Sequence, residues 1–113
     1  MTKATVYSEA DISKRLAAEL PRWRYERGAI RRAYRTTGWK GTLMAVNAVG
    51  YLAEAAWHHP DLAVSYAALE VALSTHDAGG ITDKDFALAG AIEALLTPRA
   101  GGPPAEFAIL KPD

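Results

Sequence analysis

Two amphipathic helices are predicted near the two ends of the chain. In the first, apolar residues recur at every fourth position, at Ile12, Leu16 and Leu20. Ser8 and the acidic residues after it are typical of a helix N-cap, and Pro21 ends the helix. Thr82 caps the second helix, with Asp85 at the capping-box distance and Pro98 after its end. Its apolar stripe consists of Phe86, Ala89, Ile92 and Leu96.

Two pairs of short strands are predicted between these helices. Residues 23–26 and 29–36 flank Arg27-Gly28, a two-residue turn with glycine second, which predicts a β-hairpin. Residues 62–66 and 69–74 are also rich in strand-forming residues. Apolar residues alternate with small or polar ones in the last strand, at Leu69, Val71 and Leu73.

The longest predicted helix covers residues 38–57 and is apolar around most of its circumference. One side carries Trp39, Leu43, Val46, Gly50, Ala53 and Trp57. Another side carries Met44, Ala48, Tyr51 and Ala55. Pro60 disfavours helical geometry at the preceding residue, so we expect it to end the helix. A helix this apolar is usually covered on two sides, one by the sheet and the other by a further element or subunit.

The predicted order is helix-strand-strand-helix-strand-strand-helix. Strands in hairpin-like pairs indicate an α+β fold, with helices packed on one face of an antiparallel sheet. Residues 1–99 form the predicted domain, and a Gly/Pro-rich stretch opens a C-terminal tail at 100–113. We expect the apolar residues of that tail to dock on the domain surface: Phe107, Ile109 and Leu110.

Composition excludes several classes of function. The 113 residues include no cysteine, which excludes disulfides, thiol catalysis and cysteine-ligated metals. No stretch approaches the roughly 18 apolar residues of a membrane span, and the start lacks the apolar core of a secretory signal. A cytoplasmic protein is therefore expected. Thirteen basic and thirteen acidic residues give a net charge of zero, which argues against binding nucleic acid by bulk charge.

The zero net charge conceals two unequal halves. Residues 1–40 carry ten Lys/Arg and four Asp/Glu, a net of +6, whereas residues 41–113 carry three and nine, a net of −6. Most of the basic excess lies in Arg22, Arg24, Arg27, Arg31, Arg32 and Arg35. This arginine-rich hairpin is either solvated, paired with an acidic surface on this or a neighbouring chain, or a patch for an anionic partner.

All three histidines fall in two short segments. His58 and His59 follow the longest helix, and His76 precedes a flexible Gly-rich turn at 77–80. A histidine with an unperturbed pKa near 6.5 can take and give protons at neutral pH. Adjacent histidines lack the i, i+4 spacing of a preformed metal chelate. From these residues alone, ordinary placement, a metal site and acid–base catalysis all remain open.

Seven positions resemble, at their fixed spacing, the signature of the pterin-4a-carbinolamine dehydratase family. They are Glu54-x3-His58-His59-Pro60-x5-Tyr66-x9-His76-x8-Asp85. The runs at 53–61 and 73–82 also resemble the family, and the likeness extends over roughly residues 8–97. The family's fold, a four-stranded antiparallel sheet with three helices on one face, agrees with the element order predicted above.

The resemblance implies a hydro-lyase that removes water from a 4a-hydroxytetrahydropterin to give quinonoid dihydropterin. Such an enzyme recycles the cofactor of aromatic amino-acid hydroxylases. The reaction protonates a leaving hydroxyl and removes a ring N–H proton, so two groups that titrate near neutral pH suffice. Neither a metal nor a cofactor is implied, because the pterin is the substrate. Some relatives bind a transcription factor or assist enzyme assembly, so a non-catalytic dimerisation or assembly factor is the alternative.

The resemblance also implies roles for individual residues. His58 and His76 are the acid and the base, in an order left open, and His59 assists the leaving group or binds the substrate. The implied substrate-binding residues are Glu54, Pro60, Thr75, Asp77, Ala78 and Trp23.

Structural roles remain open for several of these positions. Glu54 could orient His58 or be solvated, and Trp23 could pack in the core. Tyr66 could serve sheet packing, and Asp85 could be no more than the capping partner of Thr82.

The hairpin departs from the family pattern, since Thr36 replaces an aromatic residue and three arginines make the second strand more basic.

We expect a homodimer or homotetramer, because symmetric association would cover both the long helix and the free sheet face.

Overall fold

The computed structural model describes residues 5–97 and Leu110. Its elements are α1 (Glu9–Glu19), β1 (Arg24–Glu26), β2 (Ala29–Arg35), α2 (Trp39–Ala56), β3 (Asp61–Ser65), β4 (Ala68–Leu73) and α3 (Asp83–Leu96). The predicted order is confirmed, with boundaries that differ by one residue or less. The tail predicted at 100–113 lies outside the described residues except for Leu110. This residue forms a β-bridge with Thr36 and is only 7% exposed, as expected for a docked side chain.

The four strands form one antiparallel sheet in the order β1-β2-β4-β3, which confirms the α+β fold class. Arg27 and Gly28 join β1 to β2 with positive φ angles of 49° and 75°. Positive φ at both central residues is what a tight hairpin turn of this twist requires. β2 and β4 pair at the centre of the sheet, with Tyr34 opposite Leu69.

The hydrophobic core lies between the helices and one face of the sheet. The alternation predicted for β4 is confirmed, because Leu69, Val71 and Leu73 are fully buried on that face. Further core residues come from all three helices and from β2: Ile12, Leu16, Ile30, Tyr34, Val49, Phe86 and Ile92. The opposite face carries charged and small side chains. Helices therefore cover one face of the sheet and leave the other open.

Neither apolar side of α2 described from the sequence coincides with the side that packs on the sheet. The residues of α2 that are buried are small or medium-sized: Gly41, Thr42, Ala45, Val49 and Ala53. Of the first of those sides, Ala53 is buried, whereas Trp39, Leu43 and Trp57 are exposed. Small side chains let the helix approach the sheet closely, and the bulky residues are left on its outer side.

Helix α2 ends for a reason that the sequence interpretation missed. Trp57 adopts the left-handed conformation, with φ 51° and ψ 47°, three residues before Pro60. Its N–H donates to the Glu54 carbonyl at 3.2 Å, and the His58 N–H donates to the Ala53 carbonyl at 3.0 Å. These two bonds form a Schellman motif, which is normally built with glycine. The helix is therefore already closed before Pro60 acts.

No helix in residues 5–97 is long and apolar enough to cross a lipid bilayer. The cytoplasmic location stays a prediction.

Candidate functional site

Asp85 is the centre of the candidate site and is completely buried. It lies in the first turn of α3, where the Thr82 hydroxyl caps the helix and the Thr82 N–H donates to Asp85 Oδ2 at 2.9 Å. The capping box predicted from the sequence is therefore present. The Thr75 hydroxyl donates to the same Oδ2 at 2.8 Å, so the carboxylate also binds the chain at the end of β4.

The second oxygen of Asp85 contacts a histidine. His58 Nε2 lies 2.6 Å from Asp85 Oδ1, and the His58 side chain is only 11% exposed. With the carboxylate accepting, Nε2 carries a proton and Nδ1 is the ring nitrogen left for another partner. Asp85 is thus a partner of His58 as well as a cap. The contact fixes the orientation of the imidazole ring.

His76 lies in a closed loop that follows Thr75. The Thr75 N–H donates to the Gly80 carbonyl at 2.9 Å, and the Gly79 N–H donates back to the Thr75 carbonyl at 2.9 Å. The His76 side chain is exposed and has no hydrogen-bond partner within residues 5–97. Because Thr75 binds Asp85 and Asp85 binds His58, the two histidine segments predicted from the sequence are connected through one carboxylate.

His59 lies in a more open setting than His58. Its Nε2 is 2.9 Å from Glu54 Oε1, and its side chain is 52% exposed. Glu54 was expected to orient His58 or to bind substrate, but its side chain is hydrogen-bonded to His59. The Trp57 ring stands edge-on to the His59 ring at 5.1 Å. These contacts hold His59 from two sides and leave part of its ring open to solvent.

Of the other residues predicted to bind substrate, Pro60, Asp77 and Ala78 are sequence neighbours of the histidines, whereas Trp23 is not. Pro60 and Ala78 are half-buried and Asp77 is exposed, so the loop segments offer both backbone and side-chain groups. The Ala78 N–H is used within the loop, since it donates to the Thr75 carbonyl at 3.1 Å. Trp23 instead lies in the core, and its indole N–H donates to Glu93 Oε1 at 2.9 Å.

Glu93 is the centre of a polar cluster that the sequence interpretation missed. Besides Trp23, it accepts from the Tyr34 hydroxyl at 2.6 Å and from the buried Arg32 guanidinium at 3.1 Å. Burial opposes ionisation of Glu93, yet the hydrogen bonds from Arg32, Tyr34 and Trp23 hold its pKa below the ordinary value. Only the alternation of β2, which turns Arg32 inward beside Tyr34, could have signalled this cluster.

Tyr66 lies against the start of α2, whereas His58 and His59 follow the end of that helix. Its ring covers Gly38, where a Cβ would lie 3.4 Å from the Tyr66 hydroxyl. The carbonyl of Tyr66 accepts from the Thr42 hydroxyl at 3.0 Å. These contacts connect the β3–β4 turn to the start of α2, so the tyrosine occupies a structural position.

A groove of about 400 Å³ opens beside His58 between α2 and α3. It is lined by Leu52, Ala55, Ala56, His58, Lys84, Ala87, Leu88 and Ala91. Among the residues predicted to form the site, His58 alone reaches it. In the part of the chain that the structure describes, no three histidine or carboxylate groups cluster as metal ligands would.

Similarity to known proteins agrees with this arrangement. Residues 5–95 match the family model described as Pterin 4 alpha carbinolamine dehydratase. A protein of Chloroflexus aurantiacus named "Putative pterin-4-alpha-carbinolamine dehydratase" is 46% identical over 89 residues, which is 79% of this chain and 95% of that protein. A protein of Aquifex aeolicus with the same name is 44% identical over 89 residues, covering 79% and 89%.

A solved structure shares the fold. The crystal structure of a transcriptional coactivator/pterin dehydratase from Brucella melitensis covers 80% of this chain and 98% of its own, with a TM-score of 0.74. At 24% identity this likeness concerns the fold alone. The fold and site define an α+β protein in which Asp85, part of the N-terminal capping box of α3, also contacts His58. This chain belongs to the pterin-4a-carbinolamine dehydratase family.

Proposed function

We propose that this protein is a 4a-hydroxytetrahydropterin dehydratase that works by histidine acid–base catalysis. The observation that carries the proposal is the 2.6 Å contact between His58 and the buried Asp85, which also binds the loop that bears His76. A carboxylate behind an imidazole fixes the orientation of the ring and the nitrogen that faces the substrate. Membership of the family supplies the substrate class.

In the proposed reaction, the C4a–O bond breaks and the hydroxyl leaves as water after it accepts a proton from an imidazolium. A neutral imidazole takes the proton from the ring N5–H, and the C4a=N5 double bond of quinonoid dihydropterin forms. One proton is given and one is taken, so the step is balanced without a redox change. His58 and His76 supply these two groups, with their order open, and His59 assists the leaving group.

The pterin ring is flat and carries hydrogen-bond donors and acceptors along its edges. We propose that the loop segments at 58–60 and 75–78 bind it, with Glu54 and Asp77 as exposed carboxylates nearby. Glu54 acts through His59 in this proposal, because the two side chains are hydrogen-bonded at 2.9 Å. A substrate role for Trp23 stays a prediction. Its indole is buried in the core and donates a hydrogen bond to Glu93.

The test is dehydration of a synthetic 4a-hydroxytetrahydropterin, followed by absorbance. We expect His58→Ala and His76→Ala to lower the rate by about 10²-fold or more, and His59→Ala by less. A wild-type rate no better than that of His76→Ala would refute catalysis. The same result would favour the alternative, a non-catalytic dimerisation or assembly factor, which does not require the histidines.

We also propose that the protein is a homo-oligomer, with the outer side of α2 as its interface. Large apolar side chains are exposed there: Trp39, Leu43, Met44 and Tyr51. Lys40 and Glu54 are the charged residues on this helix. A two-fold symmetric contact would bury the same apolar surface on both copies, which is the commonest form of association.

A further inference from the structure

The segment before α1 packs directly on the loop that bears His76. The Tyr7 N–H donates to the Ile81 carbonyl at 2.9 Å, immediately after the loop ends. The Val6 side chain lies on Gly80 so closely that a Cβ there would be 2.6 Å from Val6 Cγ1. No real Cβ tolerates that separation, so the close approach requires glycine. Val6 and Tyr7 therefore pack directly against this loop.

A cluster of three side chains, which we call the clasp, fastens this segment. It consists of Tyr7, Arg15 of α1 and Asp83 of α3. The Tyr7 hydroxyl donates to Asp83 Oδ1, and Arg15 Nη1 donates to the same oxygen at 2.8 Å and to the Tyr7 hydroxyl at 2.6 Å. The hydrogen bonds from Tyr7 and then Arg15 hold the pKa of Asp83 below its ordinary value.

Aromatic contacts complete the clasp. The Tyr7 ring lies 5.1 Å from the Phe86 ring, and the Arg15 guanidinium lies 4.3 Å over that ring. Phe86 is buried and belongs to the same helical turn as Asp85. The clasp thus joins three separate parts of the chain at the start of α3.

This position matters because the histidine site depends on the same helix start. Asp85 lies two residues after Asp83 and binds both His58 and Thr75. The His76 side chain has no hydrogen-bond partner within residues 5–97, so its location depends on the backbone of the loop. That backbone is held at one end by Thr75 and at the other by the contacts of Gly80 and Ile81.

We propose that Tyr7 is a positioning residue: through the clasp it holds the His76 loop and the Asp85 turn in the arrangement needed for proton transfer. The claim that Tyr7 orders the loop rests on the contacts of Tyr7. The claim that this order affects catalysis rests on the proposed function. The proposal adds Tyr7, which is remote in sequence from the signature residues, to the groups that support the site.

The structural part is tested by amide hydrogen exchange of Tyr7→Phe, with Tyr25→Phe on β1 as the matched control. Tyr7→Phe keeps the ring on Phe86 and removes the two hydroxyl hydrogen bonds. We expect the Gly79 and Gly80 amides to exchange about tenfold faster, with the amides of β4 unchanged. Val6→Ala, which leaves the clasp intact, should accelerate the same loop amides. Unchanged loop exchange in Tyr7→Phe overturns the proposal, whatever Val6→Ala does.

The catalytic part is tested on the same variants with the 4a-hydroxypterin. We expect Tyr7→Phe to lower kcat several-fold at nearly constant KM and melting temperature, whereas Tyr25→Phe leaves kcat unchanged. Faster loop exchange with wild-type kcat overturns the positioning role. An inactive wild type with faster exchange in Tyr7→Phe refutes the proposed function and leaves the clasp established, so the two failures are distinguishable.

Discussion

At the scale of single residues, Asp85 carries more than one task. It closes the capping box of α3, accepts from Thr75 and contacts His58 Nε2, all without exposure to solvent. A neutral amide of the same shape cannot accept from all three donors. It must turn an N–H toward one of them, which leaves a buried group unsatisfied or forces His58 into the other tautomer.

We therefore expect Asp85→Asn to lower the free energy of unfolding by about 2 kcal/mol. The rate of dehydration should fall by about 10²-fold, because the imidazole loses both its orientation and its negative partner. Urea unfolding and the pterin assay measure the two effects. Asp11→Asn, an exposed change in α1, is the control, and equal behaviour of the two variants would contradict the prediction.

Glu93 has a pKa below its ordinary value of 4.5 in the folded protein. The stability that this ionised carboxylate contributes is therefore fully present above about pH 4.5 and is lost as the pH falls through the lowered pKa. Since the side chain is partly exposed, we expect Glu93→Gln to cost about 2 kcal/mol at pH 7, less than a fully buried ion pair would.

Unfolding by urea at pH 7 and at pH 3 tests this expectation. The difference between wild type and Glu93→Gln should be smaller at the lower pH, because the unfolded chain binds a proton at Glu93 more readily than the folded protein does. Glu26→Gln, which removes a partner from exposed arginines, should change stability by less than about 1 kcal/mol at pH 7. A gap that stays constant with pH would refute the role of the Glu93 charge.

At the scale of elements, helix α2 depends on the conformation of Gly38 at its N-cap. Gly38 has φ 143°, and a Cβ would meet the Tyr66 ring. We expect Gly38→Ala to lower the free energy of unfolding by about 1–2 kcal/mol. Gly90→Ala should raise it by about 0.5–1 kcal/mol, since Gly90 is inside α3 and no atom lies near its Cβ. Thermal unfolding of both variants checks whether the melting temperature falls in Gly38→Ala and rises in Gly90→Ala.

At the scale of the whole molecule, the two oppositely charged halves of the sequence pair within one chain. Arg24 and Arg31 both lie 3.5 Å from Glu70, and Arg32 lies 3.1 Å from Glu93. The arginine-rich hairpin therefore meets carboxylates from later in the sequence. This pairing supports the interpretation of an internally balanced surface over that of a patch for an anionic partner.

The outer side of α2 exposes large apolar residues that no other described part of the chain covers. If the proposed oligomer forms, we expect Leu43→Glu to convert it into monomers. A two-fold axis would place two such carboxylates in the contact, and both would lose their hydration. Sedimentation velocity at micromolar concentration measures the change. Ala18→Glu, an exposed substitution on α1, is the control and should leave the assembly unchanged. A monomeric wild type would refute the oligomer itself.

The sequence by itself determined the order of helices and strands, the hairpin turn, the capping box and the family signature. Each of these depends on residues a few positions apart, or on a motif read directly from the chain. Which side of α2 packs on the sheet was left open by the sequence. Burial depends on how closely the helix and sheet can approach, and small residues such as Gly41 and Ala45 allow the closest contact.

Only the tertiary structure decided which side chains meet across long separations. Asp85 reaches His58, Glu93 gathers Trp23 and Arg32, and Tyr7 reaches Asp83. The pattern of residues does not show which side chains are in contact, because partners 27 to 76 residues apart are brought together by the packing of whole elements. Local residue chemistry set the elements, and the packing of those elements set the site.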